Sequence, residues 1–73
     1  MACINPDGTV TASAKDMLRA LSEPQSPERV AAIVVQPLFK VRSSLRELVG
    51  GGLVQEVEGK FVTSAKGLEK LQG

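Results

Sequence analysis

The chain has 73 residues, 42% of them hydrophobic, and its nine basic and eight acidic side chains leave a net charge of +1. A chain this short buries only roughly 60% of its unfolded surface, enough for one modest core and too little for a deep substrate cleft. It holds no His, Trp or Tyr and a single cysteine, Cys3, so the commonest general base and metal ligand is missing and no internal disulfide can form. The longest apolar run, 30–35, is far too short to span a bilayer. The N-terminus lacks the basic start and apolar run of a signal peptide. These features predict a cytoplasmic chain that is not an enzyme and carries no cofactor or metal.

Cys3-Ile4-Asn5-Pro6-Asp7-Gly8-Thr9-Val10 opens the chain with a strong turn signal. Pro presets the backbone at the second turn position, Asp favours the next, and Gly takes the positive φ that follows. With Ile4 and Val10 on either side, the spacing predicts a short β-hairpin or a tightly bent strand within residues 1–12. Helix one then starts after Thr11 or Ser13, either of which can cap its first amides. Ala14, Met17, Leu18 and Leu21 form its apolar stripe, while Lys15, Asp16 and Arg19 face water.

Pro24 and Pro27 bracket a turn, because a residue preceding proline avoids helical geometry. Ser26 caps helix two and Pro27 takes its first position, where a missing N–H costs nothing. Val30, Ala31 and Val34 point inward. Helix three is expected over 37–49, with Val41, Leu45 and Leu48 on one face. Gly50-Gly51-Gly52 ends it and supplies a left-handed cap. Two short strands, 53–57 and 60–63, follow and join at Glu58-Gly59. Ser64 caps a last helix over 64–72 that carries Leu68 and Leu71. No repeat or low-complexity linker interrupts the chain, so 1–73 reads as a single α+β, mainly α, domain. Its parts are the hairpin (1–12), three core helices (13–49), a two-stranded unit (53–63) and the C-terminal helix.

Residues 26–71 resemble the winged helix-turn-helix domains of small prokaryotic transcription regulators of the MarR and ArsR type. Ser26-Pro27-Glu28-Arg29-Val30-Ala31 matches the opening of their helix two. The stretch from Pro37 to Leu48, Pro-Leu-Phe-Lys-Val-Arg-Ser-Ser-Leu-Arg-Glu-Leu, is similar to their recognition helix. Gly52-Leu53-Val54 is similar to the usual Gly-Leu-Val lead into the wing. Gly59-Lys60-Phe61 and Ser64-Ala65-Lys66-Gly67 resemble the wing tip and the start of the closing helix. Four positions depart from the pattern. Val35 stands where the turn usually has Gly, Gln36 and Thr63 stand where an apolar residue is usual, and Phe39 stands at a position that is normally polar and faces DNA.

The resemblance implies a DNA-binding transcription regulator with helix three in the major groove. Lys40, Arg42, Ser43 and Arg46 would then face DNA, and Lys60 would touch phosphate from the wing. Charge distribution agrees: 36–49 holds Lys40, Arg42 and Arg46 against Glu47, a local +2 (3 − 1), while 1–35 holds three basic and four acidic residues and 50–73 three of each. Double-stranded DNA is the expected partner. A homodimer would pair two modules on two half-sites, with the N-terminal hairpin or last helix as its surface. Near-zero net charge and the Glu56 and Glu58 carboxylates leave a second reading open, a winged-helix protein-interaction module that binds no nucleic acid.

Single residues carry bland readings as well. Phe39 is expected to fold back on Leu38 and helix two as core; exposed, it would mark a protein contact or a wedge against a thymine methyl. Phe61 reads as core beneath the wing and Cys3 as a small apolar residue. Glu56 and Glu58 would share one strand face and discourage edge-to-edge association. The glycine run lacks the Lys-Ser/Thr that a phosphate loop needs.

Overall fold

The computed structural model describes residues 4–72. The elements run α1 (Ala12–Ala20), α2 (Pro27–Val34), α3 (Leu38–Gly50), β1 (Val54–Val57), β2 (Lys60–Thr63) and α4 (Ala65–Gln72). The architecture is α+β and mainly helical, with one two-stranded antiparallel sheet among the described residues.

The capping residues start the first two helices. Thr11 accepts a hydrogen bond from the Ala14 N–H at 3.2 Å, and Ser26 accepts one from the Arg29 N–H at 3.2 Å. Of the two caps offered for helix one, Thr11 is the one used. α2 stops at Val35, which adopts the left-handed conformation at φ 55°. Gln36 N–H closes the turn on the Ala31 carbonyl at 3.1 Å. Pro37 precedes α3, and its carbonyl accepts from both Lys40 and Val41 N–H at 3.1 Å. α3 runs through Gly50, and Gly52, at φ 77°, makes the left-handed step that lets Leu53 N–H reach the Leu48 carbonyl at 2.9 Å. Glycine adopts that conformation without steric cost.

The core lies where α1, α2, α3 and the start of β1 meet. Ala14, Met17, Leu18 and Leu21 come from the α1 region, Val30 from α2, and Val41, Leu45 and Leu48 from α3. Leu53, Val54 and Val10 complete it. Ala31, Val34, Phe61 and Leu71 are partly buried against this cluster, whereas Leu68 is exposed. The spacings of three and four along each helix put these side chains on one face, which is why the stripes expected from sequence are the ones buried.

β1 and β2 pair Val54 with Thr63, Gln55 with Val62, Glu56 with Phe61 and Val57 with Lys60. The turn between them places Glu58 at φ 53° and Gly59 at φ 80°, the paired positive angles that suit a tight hairpin. Glu58-Gly59 is thus the expected join of the two strands, and Glu58 does not share a strand face with Glu56, which corrects the reading of the two carboxylates as one strand edge. The far edge of β2 is also held: Gln25 and Phe61 exchange two backbone hydrogen bonds (2.9 and 2.8 Å), and Thr63 N–H donates to the Leu21 carbonyl at 2.9 Å. Gln25 sits between Pro24 and the α2 cap Ser26 and pairs with β2 as a short third edge.

Polar groups at the base of the sheet are satisfied. Buried Thr63 donates its hydroxyl to the Leu18 carbonyl at 2.7 Å, which accounts for a polar residue where an apolar one was expected. Ser64 donates to the Gly52 carbonyl at 2.6 Å and accepts from Gly67 N–H at 3.2 Å, capping α4.

The N-terminal β-hairpin expected within residues 1–12 is not borne out: among the described residues the strands of the sheet follow the helices. Residues 4–10 make a closed turn with one isolated bridge, Ile4 to Val10, and a 2.7 Å bond from Asn5 N–H to the Thr9 carbonyl. The physical reason is the early helix start. With Thr11 committed as the α1 cap, Val10 is the last residue free to pair. Ile4 rests on the glycine run, so that a Cβ at Gly51 would fall 2.6 Å from Ile4 Cδ1. Within the turn, Thr9 donates to Asp7 Oδ1 through its hydroxyl (2.7 Å) and its N–H (3.0 Å). These bonds, the side-chain one foremost, hold the exposed Asp7 carboxyl below the usual carboxylate range. Cys3 lies outside the described residues.

Candidate nucleic-acid interface

α3 carries four of the five basic or hydroxyl residues singled out from the sequence. Its 13 residues extend about 20 Å at 1.5 Å per residue. Val41, Leu45 and Leu48 turn inward and are 1% exposed or less, which directs the opposite side of the helix to solvent. Arg42, Ser43 and Arg46 are exposed there, and the spacing of three and four residues groups them.

The four differ in their surroundings. Arg42 Nη2 donates to Glu28 Oε2 on α2 at 3.4 Å, with both side chains about 60% exposed (59% and 63%). An exposed pair of this kind contributes only ~0–1 kcal/mol, and the rest of the guanidinium fork stays open to solvent. Arg46 borders a shallow groove with Val49, Glu56 and Phe61, where α3 meets the sheet. Lys40 is on the other flank and lines a cleft of about 220 Å³ with Ser13 and Asp16 of α1, Gln36 and Ser44. Lys60 stands on a separate element, exposed beside the Glu58-Gly59 turn. The structure thus groups Arg42, Ser43 and Arg46, sets Lys40 to one side and keeps Lys60 on the sheet.

Two residues at this surface depart from the favoured sequence reading. Phe39 is 69% exposed and is not the core residue expected. Two residues before Val41, it is about 200° around the helix from the buried stripe at 3.6 residues per turn. Its spacing to Ser43 (four) and Arg46 (seven) was the available signal. Glu28 is the other, and its 14-residue separation from Arg42 leaves no local pattern to read. The nearby apolar side chains of Val35 (83%) and Ile33 (45%) are also exposed.

Among the described residues no three His, Cys, Asp or Glu side chains are grouped so as to hold a metal ion. No helix among them is long and apolar enough to cross a membrane. Comparison of the chain with family models, curated proteins and solved structures finds no match.

Proposed function

We propose that this chain is a winged helix-turn-helix module that binds double-stranded DNA as a transcription regulator, with α3 lying in the major groove. One observation carries the reading: α3 is held to the core by one face while Arg42, Ser43 and Arg46 are exposed away from it, Arg42 with an exposed Glu28 as its partner. Arg can pair with guanine O6 and N7 or neutralise phosphate. The short connection from α2 to α3 acts as the turn, and β1, β2 and Lys60 act as the wing. Lys40 contacts phosphate from the flank. The module gains affinity by pairing as a homodimer on two half-sites, acts in the cytoplasm, and uses neither catalysis nor a cofactor.

The test is an amide-resolved NMR titration with short mixed-sequence duplex DNA at low and near-physiological salt. Salt-sensitive shifts confined to 38–46 and 59–60, lost in the Arg42→Ala/Arg46→Ala double variant, are the expected result. Absence of shifts at low salt would refute DNA binding.

The exposed side chains of Val35 and Ile33, on a chain of net charge +1, favour a second reading, a protein-interaction module. In that case the arginine variants keep partner binding, and substitutions at the α2–α3 turn abolish it.

A further inference from the structure

We infer that Phe39 is a specificity-determining residue that reads the 5-methyl group of thymine in the major groove, with Arg46 reading a guanine about three base pairs away on the same helix face. The inference rests on the duplex-DNA reading above and deepens it by naming bases.

Phe39, Ser43 and Arg46 follow one another at steps of four and three, so they form one stripe along the outer side of α3. Phe39 is in the first turn of the helix, and in a helix-turn-helix the N-terminal residues of the recognition helix approach base edges. It is 69% exposed and is one of only two aromatic residues in the chain. The other, Phe61, is packed against the core. A lone exposed apolar side chain is ordinary on a protein surface. The informative point is its company, an aromatic ring in line with a hydroxyl and a guanidinium.

In the major groove only thymine offers an apolar group, its C5-methyl, and only guanine offers the paired O6 and N7 acceptors. A ring, a hydroxyl and a guanidinium therefore suit a thymine at one end and a guanine at the other. Seven residues separate Phe39 from Arg46, about 10 Å along the helix axis, which is ~3 base-pair steps at 3.4 Å. Arg42, already engaged by Glu28 at 3.4 Å, lies at the edge of the stripe and suits a phosphate contact better than a base. Lys40, directed to the α1 cleft, belongs to the phosphates as well.

The experiment selects binding sites for the full chain from a randomised duplex pool. The recovered site is then synthesised with thymine or with uracil, which lacks only the methyl group. Affinities are read by fluorescence anisotropy for wild type, Phe39→Ala, Phe39→Leu and Arg46→Ala, with the fold of each variant checked by circular dichroism. The recovered site should contain a thymine and a guanine about three base pairs apart. Wild type should bind the thymine duplex about fourfold more tightly than the uracil duplex, the effect of burying one methyl-sized group. Phe39→Ala should bind both duplexes alike, Phe39→Leu should retain part of the preference, and Arg46→Ala should lose guanine selection while keeping the thymine preference. Equal affinity of wild type for the two duplexes, or a preference that survives Phe39→Ala, overturns the inference while leaving DNA binding intact and returns Phe39 to a protein contact. Failure to recover any site, with no binding to either duplex at low salt, overturns the DNA reading and this inference with it.

Discussion

Val35 combines two costs at one position: a β-branched side chain at φ 55° and 83% exposure of that apolar side chain. The left-handed conformation costs an L-residue about 1–2 kcal/mol, and a side chain so exposed recovers little of that by packing. Its compensation is geometric, since the same conformation ends α2 and turns the chain into α3. Val35→Gly should therefore stabilise the fold by about 0.5–1 kcal/mol after the extra chain entropy of glycine is subtracted. That corresponds to a rise of roughly 2–8 °C in the thermal midpoint of a chain this size. An unchanged or lower midpoint by differential scanning calorimetry would mean that the Val35 side chain stabilises the turn by some other contact. The sequence pointed here, because the resembling regulators usually carry Gly at this place and Val35 is the departure.

At the scale of elements, the attachment of α4 depends on a residue without a side chain. Gly67 is buried, and a Cβ there would fall against the Leu53 carbonyl oxygen and 2.6 Å from Thr63 Cγ2. Alanine is the better helix former by about 1 kcal/mol, so propensity alone expects Gly67→Ala to stabilise α4. Close packing decides the other way. The variant should lose about 1–3 kcal/mol in a urea titration, with α4 lifted from α1 and the sheet. Element identity was the most legible part of the sequence: α1 and α2 begin where their caps were expected, and α3, α4 and both strands lie within one residue of their expected bounds. The N-terminal hairpin failed because Thr11 serves the helix as its cap and leaves too little chain to pair. Gln25 joined the sheet through two backbone bonds to Phe61, a partner 36 positions along the chain (61 − 25) that no local pattern announces.

For the whole molecule, the net charge is +1, and under the proposed DNA reading the number of phosphate contacts sets the salt dependence. Few cations would be in reach of a duplex laid on α3, so that number would be small. With Lys40, Arg42 and Lys60 each neutralising one phosphate, log K should fall with log salt at a slope of about −2.7. Between 50 and 200 mM salt that is a loss of about 40-fold. Replacing any one of the three by Gln should flatten the slope by about 0.9, as read by anisotropy over a salt series. A slope near zero would place binding, if any, on apolar contacts and favour a protein partner.

The order and type of the elements from α1 to α4 were legible in the sequence alone, because caps, prolines, glycines and apolar spacing act within a few residues of one another. The inward stripe of α3 was legible for the same reason, and with it the exposure of Arg42, Ser43 and Arg46. Only the tertiary structure decided what those faces meet. Thr63 finds the Leu18 carbonyl 45 residues away, and Glu28 finds Arg42 across the α2–α3 packing. Each of these depends on which surfaces come into contact across elements, and the short-range regularities of the chain do not encode that.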